Sequence, residues 1–395
     1  MPAASWTPRP SAAIRPLASV MLAIFFFGTN SPTPAQDTPA APSFAQIESI
    51  CNAAIAEKKF PGCVVVVGTS AGIQYQQAFG NRRLLPEPEP MTLDTLFDMA
   101  SLTKPIATAT SVMRLIDQGK VELDAPVAKS IPEFGANGKA AITVRQLLTH
   151  QGGLIADNSI KDYAGSRDES IAHVFALSTV VPPGAKFIYS DVGFIVLGEL
   201  VARVSGQPLD VYAREHVFQP LGMTETGFRP EESLHARCAP TEQRAGRWMR
   251  GEVHDPRAIR MDGVAGHAGL FSTGADVARY AQAMLSAQSA KPVLSGTAWK
   301  LMTTPNEVPT QRPDAPIARR GLGWDMRSAY SKNRPITFSE KAFGHSGFTG
   351  TSLWIDPEQD QFVVFLSNRV HPVGKGLSNP TASQVGDAAA GSLAH

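Results

Sequence analysis

Residues 97–105, Phe97-Asp98-Met99-Ala100-Ser101-Leu102-Thr103-Lys104-Pro105, set a serine and a lysine three positions apart where a long apolar-periodic segment begins. From Ile106 to Gln118 the periodicity predicts a helix closed by Gly119. Pro105 suits the first turn, whose backbone N–H groups have no intrahelical partner to lose. Residues three apart share a helical face, so Lys104 should stand over Ser101. A hydroxyl at the start of a helix, beside an amine and under the positive end of the dipole, is arranged as an activated nucleophile.

Outward from this stretch, strand character gathers at both ends of the chain. Phe44, Ile47, Cys51, Ala54 and Ile55 recur at helical spacing; residues 62–69 then read as a buried strand that Ala71-Gly72 turns into a second over 73–79. Residues 351–356 and 361–367 flank Pro357–Asp360 as an antiparallel hairpin. Between about Asp124 and Arg260 the pattern is short helices broken by Gly and Pro. There Thr143 and Gln146 form a capping box, and Asp191 is placed to cap a helix over 192–204 that Gly206 closes. A further helix over 275–287 starts at Ser272 or Thr273, and the residues after Pro380 read as a weak helix or a tail. The expected fold is α/β (α+β): an antiparallel sheet built from both chain ends and flanked by helices, with an inserted helical domain. The α/β part should be discontinuous, over 44–123 and 261–395, with the helical domain over 124–260.

At 395 residues the chain exceeds one ordinary core. Its 43% hydrophobic and 18% charged content belongs to a folded globular protein, and a net charge of +1 gives no reason to expect nucleic acid as a partner. Residues 1–35 read as a secretory signal peptide: Arg9 and Arg15 precede an apolar run too short to span a bilayer, and Thr33-Pro34-Ala35 supplies small residues before Gln36. Residues 36–43 follow as a Pro-rich linker. The mature chain is therefore expected in the bacterial periplasm or outside the cell, without stable membrane insertion. Cys51, Cys63 and Cys238 are too few for a disulfide framework, and sequence leaves a Cys51–Cys63 bridge open.

Three patterns occur once each and in order: Ser101-Leu102-Thr103-Lys104, Tyr189-Ser190-Asp191 and His345-Ser346-Gly347. Together they resemble the penicillin-recognising serine hydrolases: class C β-lactamases, low-molecular-weight penicillin-binding proteins and related esterases. The resemblance covers nearly the whole mature chain, including residues 147–150, 219–223 and 269–273, and implies the β-lactamase/transpeptidase-like fold. It also implies roles. Ser101 is the nucleophile, Lys104 or a Tyr189 phenolate takes its proton, and Tyr189 returns one to the leaving group. The backbone N–H groups of Ser101 and Phe348 stabilise the oxyanion before water attacks the acyl-enzyme. No cofactor or metal is implied, and the partner is a small-molecule or peptidoglycan-derived substrate.

Two departures bear on that substrate. Where the family commonly has Asn, Asp191 cannot donate a hydrogen bond when ionised, and it favours the charged form of a nearby Lys104. Where the family commonly has Lys, His345 carries only part of a charge near neutral pH, so an anion held there should be lost as pH rises through the imidazole range. Both changes weaken recognition of a β-lactam or a D-Ala-D-Ala terminus. They favour a serine hydrolase acting on esters or on D-amino-acid amide or peptide bonds, with a DD-carboxypeptidase or β-lactamase as the alternative, or a non-catalytic cell-wall-binding module of the same fold. Asp191 could equally be a plain helix cap, and His150 reads as a helix-end residue that satisfies last-turn carbonyls. His254, Asp255 and His267 match no compact zinc spacing and are expected to be structural, although the Gly-rich stretch 263–269 could bring His267 to the pocket.

Overall fold

The computed structural model describes residues 43–394, so the segment expected to be a signal peptide and all of the expected linker except Ser43 lie outside the described residues. The segment 62–69 (GCVVVVGT) explains the architecture. Val64 and Val66 enter one hydrophobic core while Cys63, Val65 and Val67 enter another, so this strand is buried on both faces. The alternation demands a layer on each side.

Among the described residues nine strands form one antiparallel sheet. They are β1 (Gly62–Thr69), β2 (Gly72–Arg83), β3 (Glu89–Pro90), β4 (Asn306–Arg312), β5 (Ala315–Arg320), β6 (Asp325–Arg327), β7 (Phe343–Ser346), β8 (Thr351–Asp356) and β9 (Gln361–Ser367). Their order is β3-β2-β1-β9-β8-β7-β6-β5-β4, so β1 pairs with β9 and the two chain ends meet mid-sheet. One face carries α1 (Ala45–Ala56) and the C-terminal helix (Asn379–Leu393), which is a full helix of 15 residues. The larger core on the other face packs against α2 (Thr110–Asp117), α3 (Asp191–Ser205) and α4 (Gly274–Met284). The thiols of Cys51, Cys63 and Cys238 are free and buried. Among the described residues no single helix is long and apolar enough to cross a membrane.

Local detail departs from the sequence reading at the nucleophile. The helix expected from Ile106 is compound: a tight turn over Ala100–Leu102, a widened stretch over Lys104–Ala109, and regular α-helix only from Thr110 to Asp117. Such wide turns recur at functional sites, where they re-aim side chains. The Thr143–Gln146 capping box and the left-handed Gly206 closing α3 are both present.

Candidate active site

A short strand, Phe97–Asp98, delivers the chain to Ser101 and pairs with Leu270–Ser272. The residue before the serine, Ala100, has φ +45°, a left-handed conformation that costs a non-glycine residue roughly 1 kcal/mol. The surroundings hold it there. Ala100 N donates to Asp98 Oδ1 (2.8 Å), and His254 N donates to the other oxygen of the same buried carboxylate (2.6 Å). The turn after β7 is stitched to the same segment, because Thr349 Oγ1 donates to Asp98 O (2.7 Å) and Thr351 Oγ1 to Met99 O (3.1 Å). Gly347 fits only because it lacks a side chain: a Cβ would strike Met99 O and the Thr351 hydroxyl.

Lys104, fully buried, donates to Ser101 Oγ (2.9 Å) and to His267 O (3.2 Å), and pairs with Asp191 Oδ1 at 2.7 Å. Burial alone would lower its amine, but the Asp191 carboxylate and the Tyr189 oxygen outweigh burial and raise it above the ordinary lysine value. The Tyr189 phenol, within hydrogen-bonding reach of Ser101 and Lys104, is raised by burial and partly restrained by the lysine. At neutral pH the resting site therefore holds an ammonium and a neutral phenol.

Asp191 does not cap α3. Ser190 is the cap, its Oγ accepting from Gly193 N (3.1 Å), because the neighbouring carboxylate is drawn to Lys104. His150 does not satisfy helix-end carbonyls. It adopts φ +59°, its Nδ1 accepts from Ser190 N (3.0 Å), and its ring packs 4.5 Å from that of Tyr189. It thus holds in place the loop that carries Tyr189.

His345 lies at the same cleft, its ring 6.0 Å from Tyr189 and its Nδ1 against Ser346 O (2.8 Å). Burial first, then Lys104 and Arg320, hold the imidazole well below its usual value. The partial charge expected from sequence is therefore absent near neutral pH, and with it the pH-dependent anion hold. Phe348 N has no acceptor among the described residues, which leaves it free to act as a donor. Its ring is 59% exposed at the mouth.

Ser101, Tyr189, His345, Ser346, Gly347 and Phe348 line one cleft of about 400 Å³. Tyr330, Arg320, Lys332 and Arg369 also line it, and sequence reading singled out none of them. Tyr330 stacks on Tyr189 (4.7 Å), and buried Arg320 donates to Asp325 (3.2 Å). Each of these residues reaches the cleft from a segment with no chemical signature of its own.

Asp191, Asp255 and His267 place donor atoms within 4.8 Å of one another. A metal would have to displace existing partners: Lys104 holds Asp191, His267 Nε2 meets Asp255 Oδ1 (2.9 Å), and Asp255 caps the helix Pro256–Arg260. These contacts make Asp255 and His267 a brace for the His267 carbonyl on Lys104. His254 instead faces Glu242 (3.3 Å) and stacks on Phe348.

The Beta-lactamase family model matches residues 47–387. A protein of Escherichia coli (strain K12), provisionally named D-alanyl-D-alanine carboxypeptidase, is 32% identical, with 83% of each chain covered. The N-acetylmuramyl-L-alanine amidase of Bacillus subtilis (strain 168) is 33% identical, over 81% of this chain and 80% of that one. Among solved structures, EstCE1, a hydrolase with promiscuous acyltransferase activity, superposes with a TM-score of 0.72 at 23% identity, covering 88% of this chain and 98% of the other.

Proposed function

The chain belongs to the beta-lactamase family, and we propose that it is a secreted or periplasmic serine hydrolase that works through an acyl-enzyme on Ser101, cleaving ester or D-amino-acid amide and peptide bonds. One observation carries the reading: the Ser101 hydroxyl sits 2.9 Å from a buried lysine amine on the wall of a cleft that Tyr189 and residues 345–348 share. Residues 9–35 support the export route.

The resting ammonium cannot accept a proton, so the mechanism needs a sink. Asp191, 2.7 Å away, provides it. When substrate displaces water from the cleft, charge separation across the Lys104–Asp191 pair becomes more costly, and a proton shift to the carboxylate leaves a neutral amine. That amine takes the Ser101 proton as Oγ attacks the carbonyl, while the N–H groups of Ser101 and Phe348 receive the oxyanion. Tyr189, a neutral phenol, donates to the leaving oxygen or nitrogen. Water then attacks the ester carbonyl of acyl-Ser101, its proton passing to the Tyr189 phenolate, while the Lys104 ammonium returns a proton to Ser101 Oγ and the serine is restored.

The names of the two relatives favour amide or peptide bonds of cell-wall origin, while the absent charge at His345 favours esters over penicillins. Treating the protein with a fluorophosphonate and, separately, with a labelled penicillin divides these cases by intact mass. The expected outcome is a fluorophosphonate adduct on Ser101, its loss in Ser101→Ala, hydrolysis of p-nitrophenyl esters and slow penicillin acylation. Rapid penicillin acylation would favour the carboxypeptidase or β-lactamase alternative, and no adduct with either reagent would sink the hydrolase reading.

A further inference from the structure

We infer that the dipeptide His254-Asp255 is a positioning unit that holds the Ser101 hydroxyl and the Lys104 amine in register, an inference resting on the acyl-hydrolase reading of Ser101. Both residues stand outside the three motifs that carry the chemistry. Each is bonded instead to the support of a reacting group. His254 N donates to one oxygen of buried Asp98 (2.6 Å), whose other oxygen takes Ala100 N (2.8 Å) and so holds the left-handed residue next to the nucleophile. Asp255 Oδ1 meets His267 Nε2 (2.9 Å), and the carbonyl of that same buried histidine takes an N–H of Lys104 (3.2 Å). Burial would raise the Asp255 carboxyl, but the His267 ring and the N–H groups of Arg257 and Ala258 outweigh it and hold the group well below the usual carboxylate range. An ionised carboxylate only accepts, so Nε2 is the donor.

Helical spacing brings Ser101 and Lys104 together, yet they sit on either side of the change from a tight turn to a widened stretch. The aim of each side chain there needs support from outside the helix. The charged amine directs its three N–H groups at Ser101 Oγ, His267 O and Asp191. Once it has given up a proton, it must keep an N–H on the His267 carbonyl if its lone pair is to face the Ser101 hydroxyl, because a carbonyl can only accept. Asp255 secures that histidine through its ring. The peptide link to His254 ties the same segment to the Asp98–Ala100 support, so a displacement of one support is passed to the other. His254 also reaches the oxyanion side of the cleft: its ring stacks on Phe348 (5.5 Å) and its Nε2 lies 3.3 Å from Glu242. From the other end the unit is anchored by Arg257, which donates to Asn158 O (2.6 Å).

The test follows acylation by a fluorophosphonate, read as a maximal rate and a half-saturating concentration, with turnover of p-nitrophenyl butyrate alongside. All rates are taken well below each variant's melting temperature. Asp255→Ala frees the His267 ring, so the maximal rate should drop about ten- to a hundred-fold, with the half-saturating concentration changed by less than about three-fold. Asp255→Asn keeps an accepting oxygen for the ring and should stay within about three-fold of the native rate. Asp98→Asn turns an amide NH2 toward one of the two N–H groups and should also slow acylation. Combined with Asp255→Ala it should cost clearly less than the product of the two single losses, because one unit is lost once. Val65→Ala, which opens a cavity in the core on the other face of the sheet, should lower the melting temperature and keep the rate. A native rate in Asp255→Ala, an equal loss in Val65→Ala, an Asp255→Asn as slow as Asp255→Ala, or a double loss equal to the product would overturn the assignment, while acylation of the native protein would leave the Ser101 reading intact. No adduct and no turnover in the native protein would overturn both.

Discussion

Replacing Asp191 by Asn removes the carboxylate that keeps Lys104 charged. The two atoms are 2.7 Å apart, and the lysine side chain is fully buried. At an effective dielectric of about 20, unit charges at that separation attract by about 6 kcal/mol. Without the carboxylate, burial acts on the amine with much less opposition. Remaining a buried, uncompensated cation costs about 3–5 kcal/mol. Releasing the proton at pH 7 costs about 5 kcal/mol, from 1.4 kcal/mol per unit and an ordinary lysine pKa near 10.4. Either route predicts a melting temperature lower by roughly 5–10 °C. The sign with pH separates the two proteins. In the native protein the folded-state pKa of Lys104 is raised, so its contribution is complete below the ordinary lysine value and fades only as pH climbs through the raised one. In Asp191→Asn the folded value falls below the unfolded one, so stability increases with pH up to about 10. The gap between the two melting curves should therefore narrow from pH 6 to pH 9. Over the same range, stopped-flow acylation by a fluorophosphonate should show its rising limb about two or more pH units lower in the variant, whose amine is free to accept a proton. A constant stability gap with superimposable pH–rate profiles would refute the view that Asp191 sets the state of Lys104.

Three further outcomes follow from the geometry. His345 should be neutral between pH 6 and 8, so the pH–rate profile for a neutral ester should carry no limb near 6.5 that disappears in His345→Gln; such a limb would show that the imidazole titrates there. Tyr189→Phe keeps the stacking on Tyr330 and His150 but removes the proton donor, so kcat/KM should drop about a hundred-fold or more with little change in melting temperature; a change of less than about three-fold would reduce Tyr189 to a packing role. Gly347→Ala would force its Cβ onto Met99 O, one residue from the strained Ala100, and should lower both kcat and stability, the latter by about 1–3 kcal/mol. Wild-type melting and turnover in that variant would show that the turn after β7 is not held against the nucleophile segment.

What the sequence revealed, and what it hid, divides by the range of the forces involved. The run 62–69 and the hairpin 351–367 could be read because a sheet buried on both faces needs an unbroken apolar strand, and because a four-residue turn is a local event. The Ser101–Lys104 contact was equally readable, since helical spacing brings positions three apart together. Asp191 was misjudged as a cap because Ser190 and Asp191 are equally good caps in isolation. The choice between them is made by Lys104, 87 positions back in the chain, whose buried ammonium draws the carboxylate and leaves the hydroxyl to cap. The same logic governs charge across the cleft. From sequence, replacing the usual lysine of the third motif by His345 meant a weaker, pH-sensitive hold on anions. In the fold, burial together with the charges of Lys104 and Arg320 suppresses even that, while Arg369, which pairs with no carboxylate among the described residues, lines the same cleft. A lone arginine after a strand has no local signature. Its place against the Phe348 ring is set by the fold and not by its neighbours in the chain.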